Sequence, residues 1–279
     1  MRVLDAWGPY KQDKTILNYS PHTLKAYALQ VKLLAVYLGN QELSEVTYEQ
    51  LKQYLYEQSQ HLKPASLGHR IRFIRSFFRW AVDEGHINKN PAARLQEPKM
   101  APRIPKFLTE EDIEMLREGC NSPLEHAIIE FLFSTGCRIG EAVRVNVADI
   151  DWNKNCLIVL GKGGKEREVY FNIRCRIWLK KYLETRRGKD PALFITERSP
   201  HRISIAQMRY IVKRVADRAG TEVNIYPHRL RHSFATHLLN NGAPLEAIQQ
   251  LMGHEKAETT QIYAQLSGER RREIYKKYF

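Results

Sequence analysis

Four short patterns in the second half of the chain place arginine, lysine, histidine and tyrosine at spacings suited to phosphate chemistry. Two arginines can clamp a phosphodiester and neutralise the charge that develops on its non-bridging oxygens. A tyrosine beside that phosphate can attack phosphorus and hold the product as a phosphotyrosine ester. The patterns are Arg138-Ile139-Gly140-Glu141, the glycine-rich run Gly161–Arg167, His228-Arg229-Leu230-Arg231, and His254 followed nine residues later by Tyr263.

Proton transfer can be assigned to the remaining side chains of these patterns. A lysine on a flexible turn, Lys162 or the nearby Lys165, can protonate a leaving 5′-oxygen. Histidines can take part in proton transfer or donate hydrogen bonds to the phosphoryl oxygens. Glu141 follows Arg138 by three residues, so it can orient the guanidinium from the same helix face. Taken singly, each pattern also has a structural explanation, such as a solvated hairpin or a core tyrosine.

No metal or other cofactor is expected, because the cationic side chains already supply the charge stabilisation. His228 and His232 have the i, i+4 spacing of metal ligands, but no HExxH glutamate or nearby Cys or Asp accompanies them. The four cysteines form no CxxC pair. A reduced, cytoplasmic setting with free thiols is predicted, since no signal peptide or membrane-spanning apolar run is recognisable.

Helices and one β-hairpin are predicted to position these groups. Thr109 caps a helix, and the glycine-rich run joins strands at Cys156–Leu160 and Glu166–Phe171, with Leu193–Ile195 as a candidate third strand. Further helices are expected at 123–135, 204–219, 227–240, 244–252, 256–264 and 269–278.

The first half is predicted to be all-helical and to contact DNA. Ser20-Pro21 and the capping box Thr47-x-x-Gln50 begin two helices, and a third over about 65–84 ends at Gly85. Its apolar stripe comprises Leu67, Ile71, Ile74, Phe78 and Ala81, and a neighbouring basic stripe comprises Arg72, Arg75 and Arg79. That basic stripe is either a solvated polar face or a surface laid against phosphates and base edges.

The net charge and the positions of the prolines along the chain support two DNA-contacting domains. The 279 residues include 44 Lys+Arg and 31 Asp+Glu, a net charge of +13 that favours a polyanionic partner such as nucleic acid. Three prolines in the run from Glu97 to Lys106 predict a stiff connector. The predicted organisation is a DNA-binding domain at 1–97, a linker at 98–106, and a catalytic domain at 107–279 with a tail from about 267.

Together, the patterns resemble the active site of tyrosine recombinases of the phage-integrase and Xer class. The resemblance covers nearly the whole chain and implies a mainly α fold. An all-helical core-binding (SAM-like) domain would precede an α-rich catalytic domain with a small antiparallel β-sheet. Lys162 is favoured over Lys165 by the family's spacing.

The resemblance also implies a role for each residue in site-specific recombination. Tyr263 would attack the scissile phosphate to give a 3′-phosphotyrosine and a free 5′-hydroxyl, and reversal on a partner duplex would reseal the strand without ATP or metal. The remaining roles would be phosphate binding by Arg138 and Arg231, general acid catalysis by Lys162, proton transfer at the tyrosine by His228, stabilisation of phosphoryl oxygens by His254, and support of Arg138 by Glu141.

Family members act on double-stranded DNA as tetramers spanning two sites. The resemblance therefore implies a homotetramer, or a heterotetramer with a related recombinase, and no membrane partner. The tail bears Ile274, Tyr275, Tyr278 and Phe279 as apolar anchors, which would dock on a neighbouring protomer or on the same domain. Three alternatives stay open: a type IB topoisomerase-like enzyme, a telomere resolvase, and a non-catalytic sequence-specific DNA-binding protein.

Overall fold

The computed structural model describes residues 1–99, 107–161 and 164–253. The chain divides into two compact units, Met1–Pro102 and Arg103–Phe279. The proposed domain limits at 97 and 107 stay a prediction, because most of the expected linker lies outside the described residues. Within the described residues the protein is mainly α with one small antiparallel sheet, as the sequence predicts.

The described part of the first unit consists of helices joined by short turns. They are α1 (Trp7–Ile16), α2 (Pro21–Tyr37), α3 (Tyr48–Ser59) and α4 (Pro64–Asp83). The predicted caps are confirmed: the Ser20 hydroxyl accepts from the Thr23 amide at 3.1 Å, and Thr47 and Gln50 form a reciprocal capping box. Helix α1, which was not predicted, begins at Trp7, and the Ala6 that precedes it provides no side-chain cap.

Helix α4 carries most of the first unit's core. Four of the five residues of the predicted apolar stripe are buried. The fifth, Leu67, is partly buried and packs against the hydrophobic core of this unit. Aromatic rings from α4 surround the buried Tyr10 of α1, whose hydroxyl lies 2.9 Å from the Ser76 hydroxyl. The helix is thus held on its apolar side, which leaves Arg72, Arg75 and Arg79 on its exposed side.

The second unit is built around the buried helix α6 (Pro123–Thr135), which packs against α8, α9 and α10. The other helices described in this unit are α5 (Glu110–Glu118), α7 (Ile139–Ala142), α8 (Ile173–Thr185), α9 (Ile205–Ala219), α10 (Pro227–Asn240) and α11 (Leu245–Met252). Two carboxylates of α6 are buried and paired with arginines: Glu130 with Arg117, and Glu125 with Arg214 and Arg218. These pairs satisfy charges that burial would otherwise penalise.

Three short antiparallel strands lie beside this helical core, in the order β1 (Ile150–Asp151), β2 (Cys156–Leu160) and β3 (Glu166–Tyr170). The predicted hairpin of β2 and β3 is confirmed, with Cys156 opposite Tyr170 and Leu160 opposite Glu166. The third strand predicted at Leu193–Ile195 is wrong, because that buried segment makes only isolated bridges, and β1 takes its place in the sheet.

The expected helices at 256–264 and 269–278 lie outside the described residues. Among the helices that are described, none is both long enough and apolar enough to cross a membrane.

Candidate active site

A glycine break after α6 brings Arg138 to the start of α7. Gly136 ends α6 in the left-handed conformation, with φ +60°. A Cβ at this position would lie 2.3 Å from the Phe234 ring, so a larger residue cannot fit without displacing that ring. Arg138 then forms the N-cap of α7, as the placement of an arginine just after a glycine break predicts.

Glu141 holds Arg138 through both backbone and side chain. Its carboxylate accepts from the Arg138 amide at 2.8 Å and from the Arg138 guanidinium at 2.9 Å. Burial by itself raises the pKa of this 6% exposed carboxyl group, but the surrounding arginine and amide donors outweigh burial and lower the pKa to about 2. Glu141 is therefore ionised and fixes the orientation of Arg138 as its spacing predicts.

His228 and Arg231 lie one turn apart on α10, as predicted. Arg231 is only 2% exposed, and its guanidinium donates to the Gly136 carbonyl at 2.6 Å and to the Met252 carbonyl. Burial, followed by the nearby Arg138, lowers the pKa of Arg231 to about 10, so it still carries its charge at neutral pH.

Two histidines of α10 are held neutral near these arginines. Burial and then the charges of Arg231 and Arg138 lower the pKa of His228. The His232 ring lies 5.2 Å from the His228 ring, and burial followed by His228 and Arg231 lowers the pKa of His232 to about 4. A neutral imidazole can accept a proton, so His228 is suited to a proton-transfer role at neutral pH.

The C-terminal end of α11 receives three arginine side chains. The carbonyls of Leu251, Met252 and Gly253 accept in turn from Arg167 at 3.2 Å, from Arg231, and from Arg138 at 3.2 Å. The last carbonyls of a helix have no intrahelical partner and carry partial negative charge, so cations stabilise this end. The two arginines proposed to bind phosphate thus bond the carbonyls of Met252 and Gly253, the two residues that precede His254.

Arg167 also belongs to this cluster, although the spacing of the motifs predicts no role for it. It lies in β3 and donates to both carboxylate oxygens of Glu141, at 2.9 and 2.7 Å. A signal did exist: Arg167 precedes the buried Val169 by two residues, so both side chains lie on the core-facing side of the strand. A charged residue on that side requires a partner.

The start of the lysine turn lies against the same cluster. The Gly161 amide donates to the Lys165 carbonyl at 2.7 Å, and a Cβ at Gly161 would lie 3.7 Å from the Arg167 guanidinium and 3.9 Å from the Glu141 carboxylate. Lys162 follows directly, but Lys162, His254 and Tyr263 all lie outside the described residues. Their placement in this site stays a prediction.

The structure brings together Arg138, Glu141, His228 and Arg231, all from the second unit. The arginines concentrate positive charge beside the neutral histidines, which suits a phosphate ligand. In the ranges 1–99, 107–161 and 164–253, no three His, Cys, Asp or Glu side chains lie close enough to hold a metal ion.

The basic stripe of α4 belongs to the first unit. Arg72, Arg75 and Arg79 are all exposed, which both interpretations of the stripe require. Arg72 is engaged within the protein: its guanidinium pairs with Glu97 at 2.7 Å and lies 2.9 Å from the His69 ring. Arg72 must therefore compete with this pairing to reach a phosphate.

Comparisons with known proteins agree with the fold. The phage integrase family profile matches residues 106–270, and the phage integrase N-terminal SAM-like domain matches residues 16–85. The tyrosine recombinase XerC of Oceanobacillus iheyensis is 36% identical over 279 residues, covering 93% of this chain and 90% of that protein.

Two solved structures are similar along nearly the whole chain. The crystal structure of XerA recombinase is 27% identical with a TM-score of 0.58, covering 99% of this chain and 98% of that one. A lambda integrase tetramer bound to a Holliday junction is 20% identical with a TM-score of 0.77, covering 92% of this chain and 78% of that one. The second likeness is one of fold.

Proposed function

The chain belongs to the phage integrase family, and we propose that it is a site-specific DNA recombinase that cleaves and rejoins strands through a 3′-phosphotyrosine at Tyr263. The observation that carries the proposal is the convergence of Arg138 and Arg231 on consecutive carbonyls at the end of α11. The chain that continues from this point contains His254 and Tyr263. Tyrosine recombinase XerC, similar over nearly the full length, supports the same activity.

In the proposed reaction the Tyr263 oxygen attacks the scissile phosphorus while the bond to the 5′-oxygen breaks. Arg138 and Arg231 bind the non-bridging oxygens, and His254 adds a further hydrogen bond to them. His228, whose pKa is lowered by burial and then by the arginines, accepts the tyrosine proton, and Lys162 gives a proton to the leaving 5′-oxygen. The ester retains the bond energy, so a 5′-hydroxyl from a partner duplex can reverse the step without ATP.

Double-stranded DNA is the proposed partner of both units. The exposed arginines of α4 supply phosphate or base contacts from the first unit, and the net charge of +13 suits binding throughout the chain. We further propose that four protomers, alone or with a related recombinase, assemble on two sites, by analogy with the lambda integrase tetramer on its junction. The setting proposed is the cytoplasm, where the four buried cysteines stay as free thiols.

Covalent trapping tests the chemistry. A duplex would first be selected from a random-sequence pool for tight binding to the wild-type chain. A set of copies would then be prepared, each with a single nick at a different position of the bound region, so that the cleaved fragment is lost and religation is blocked. The expected result is a denaturant-resistant adduct in wild type that is absent in Tyr263→Phe. Tight binding without an adduct at any nick would instead favour the non-catalytic DNA-binding alternative.

Strand exchange separates a recombinase from a topoisomerase-like enzyme. Two differently labelled duplexes carrying the selected site would be incubated with the protein in EDTA and without nucleotide. Joining of one label to the other duplex is the expected outcome. A supercoiled plasmid would be incubated with the protein in parallel. Relaxation of this plasmid without any joined product would contradict the proposal of a recombinase but not the proposal of cleavage through Tyr263.

A further inference from the structure

We propose that Arg167 is a positioning residue for strand cleavage, which holds Glu141, the lysine turn and the end of α11 in one arrangement. The inference rests on the proposed function and adds a residue to it. Arg167 occupies the second position of β3, and its side chain is 11% exposed. It bonds Glu141 and the end of α11, and its guanidinium lies beside Gly161 at the start of the lysine turn.

The contact with Glu141 is bidentate. Two guanidinium nitrogens of Arg167 donate to the two carboxylate oxygens, at 2.9 and 2.7 Å. This planar fork is a geometry that lysine cannot reproduce. Since Glu141 also binds the amide and guanidinium of Arg138, the orientation of Arg138 depends on Arg167 through one shared carboxylate.

The contact with α11 combines a hydrogen bond with close packing. The Nε–H of the same guanidinium donates to the Leu251 carbonyl at 3.2 Å. A Cβ at Gly253 would lie 2.9 Å from Cδ of Arg167 and 3.2 Å from Nε, so the side chain fills the space beside that glycine. Arg167 therefore fixes the backbone from which the chain proceeds to His254 and Tyr263.

The contact with the lysine turn comes from the same guanidinium. Nη1 of Arg167 lies near the position that a Gly161 side chain would occupy, and Gly161 directly precedes Lys162. Arg138, the proposed general acid and the proposed nucleophile lie on three separate segments of the chain. Arg167 touches the support of each, which is the geometric basis for its assignment as a positioning residue.

The test uses the full-length chain and the nicked, selected duplex. Arg167→Met preserves length and removes the fork, and we expect the rate of adduct formation to fall about 100-fold, the effect of a displacement near 1 Å at a reacting centre. Binding of the duplex should change less than two-fold, since the Arg167 side chain is only 11% exposed and its guanidinium is paired with Glu141. Arg167→Lys keeps the charge, so its loss should be smaller.

Arg117→Met is the matched control. Arg117 makes an equivalent bidentate pair with the buried Glu130, with its side chain 16% exposed, on elements apart from the cluster. It should lose comparable thermal stability and keep the wild-type cleavage rate. Equal rates for wild type, Arg167→Met and Arg167→Lys would overturn the proposal, as would an equal loss in Arg117→Met.

Two further readouts separate positioning from general destabilisation. As the pH is lowered, the cleavage rate of Arg167→Met should begin to fall at a higher pH than that of wild type, because Glu141 has lost a partner that keeps it ionised. Arg117→Met should leave the pH profile of cleavage unchanged. Hydrogen exchange over Leu245–Gly253 should accelerate in Arg167→Met, and in Arg167→Lys to a smaller degree, but not in Arg117→Met. Unchanged hydrogen exchange in both Arg167 variants would contradict the inference. A wild-type protein that binds the duplex without cleaving it would instead contradict the proposed function.

Discussion

Replacing Gly253 with alanine should disturb the arginine cluster without removing any of its side chains. Gly253 ends α11 at φ +60°, where an added Cβ would meet Cδ of Arg167 at 2.9 Å. Ordinary contacts begin at 3.4 Å, so Cδ must retreat by about 0.5 Å, the difference between 3.4 and 2.9 Å. That shift strains a fork whose hydrogen bonds to Glu141 are 2.7 and 2.9 Å long.

Gly220→Ala supplies the matched control. Gly220 ends α9 at φ +64°, with no atom within 4 Å of an added Cβ. Both substitutions therefore carry the same left-handed backbone cost of about 1–2 kcal/mol. Gly253→Ala adds the partial loss of charge-assisted hydrogen bonds, worth roughly 1.5–3 kcal/mol each.

Thermal unfolding and cleavage of the nicked duplex measure the two effects. An additional 1 kcal/mol should lower the midpoint of Gly253→Ala by about 2–4 °C relative to Gly220→Ala in a unit of this size. Cleavage should fall roughly 10- to 100-fold in Gly253→Ala and stay at the wild-type rate in Gly220→Ala. Equal midpoints and equal rates for the two variants would refute the reasoning that Arg167 and the end of α11 are mechanically linked.

Three further perturbations follow from the same geometry. Arg231→Gln should reduce single-turnover cleavage by about 100-fold or more with folding retained, because it removes the buried charge that is proposed to bind the phosphate. Glu141 has a folded pKa of about 2 against an ordinary 4.5, so the stability from its ionisation is present above pH 4.5 and is lost as the pH falls towards 2. The difference in unfolding free energy between wild type and Glu141→Gln should therefore shrink over that range, by an amount on the order of 3 kcal/mol. Arg75→Ala should weaken DNA binding and reduce its salt slope by about one, and Arg72→Ala should do so less because Glu97 already pairs with Arg72.

The residues that local spacing could identify are those on single helices. Arg138 with Glu141, and His228 with Arg231, are three residues apart, and helix geometry alone places each pair on one face. The convergence of the two pairs follows from the packing of α10 on α6, which spacing does not encode. The resemblance of the motifs to those of tyrosine recombinases is what implies that the two pairs share one site.

Arg167 was missed because its partners are distant or are not side chains. Glu141 lies 26 residues away in sequence, and the Leu251 carbonyl belongs to the backbone, which residue types do not reveal. The prediction of a third strand at Leu193–Ile195 was wrong for a related reason. A short apolar run is equally compatible with a strand and with a buried extended segment. The true β1 has only two residues, too few for any alternation to show.

Helices α1 and α8 were missed for different reasons. Ala6 gives α1 no capping side chain, so its start leaves little trace in the sequence. For α8 a signal was present, because the Asn172 side chain accepts from the Cys175 amide at 2.9 Å as an N-cap. Asparagine followed by a mixed apolar and basic run was sufficient to predict that helix.

The most direct test of the central claim is to identify the atom that links protein to DNA. The wild-type adduct on the nicked duplex would be digested with protease and nuclease, and the modified peptide sequenced by mass spectrometry. The account predicts a nucleotide joined through its 3′-phosphate to Tyr263, with a free 5′-hydroxyl on the released strand. A nucleotide on any other residue, or a linkage through a 5′-phosphate, would contradict it.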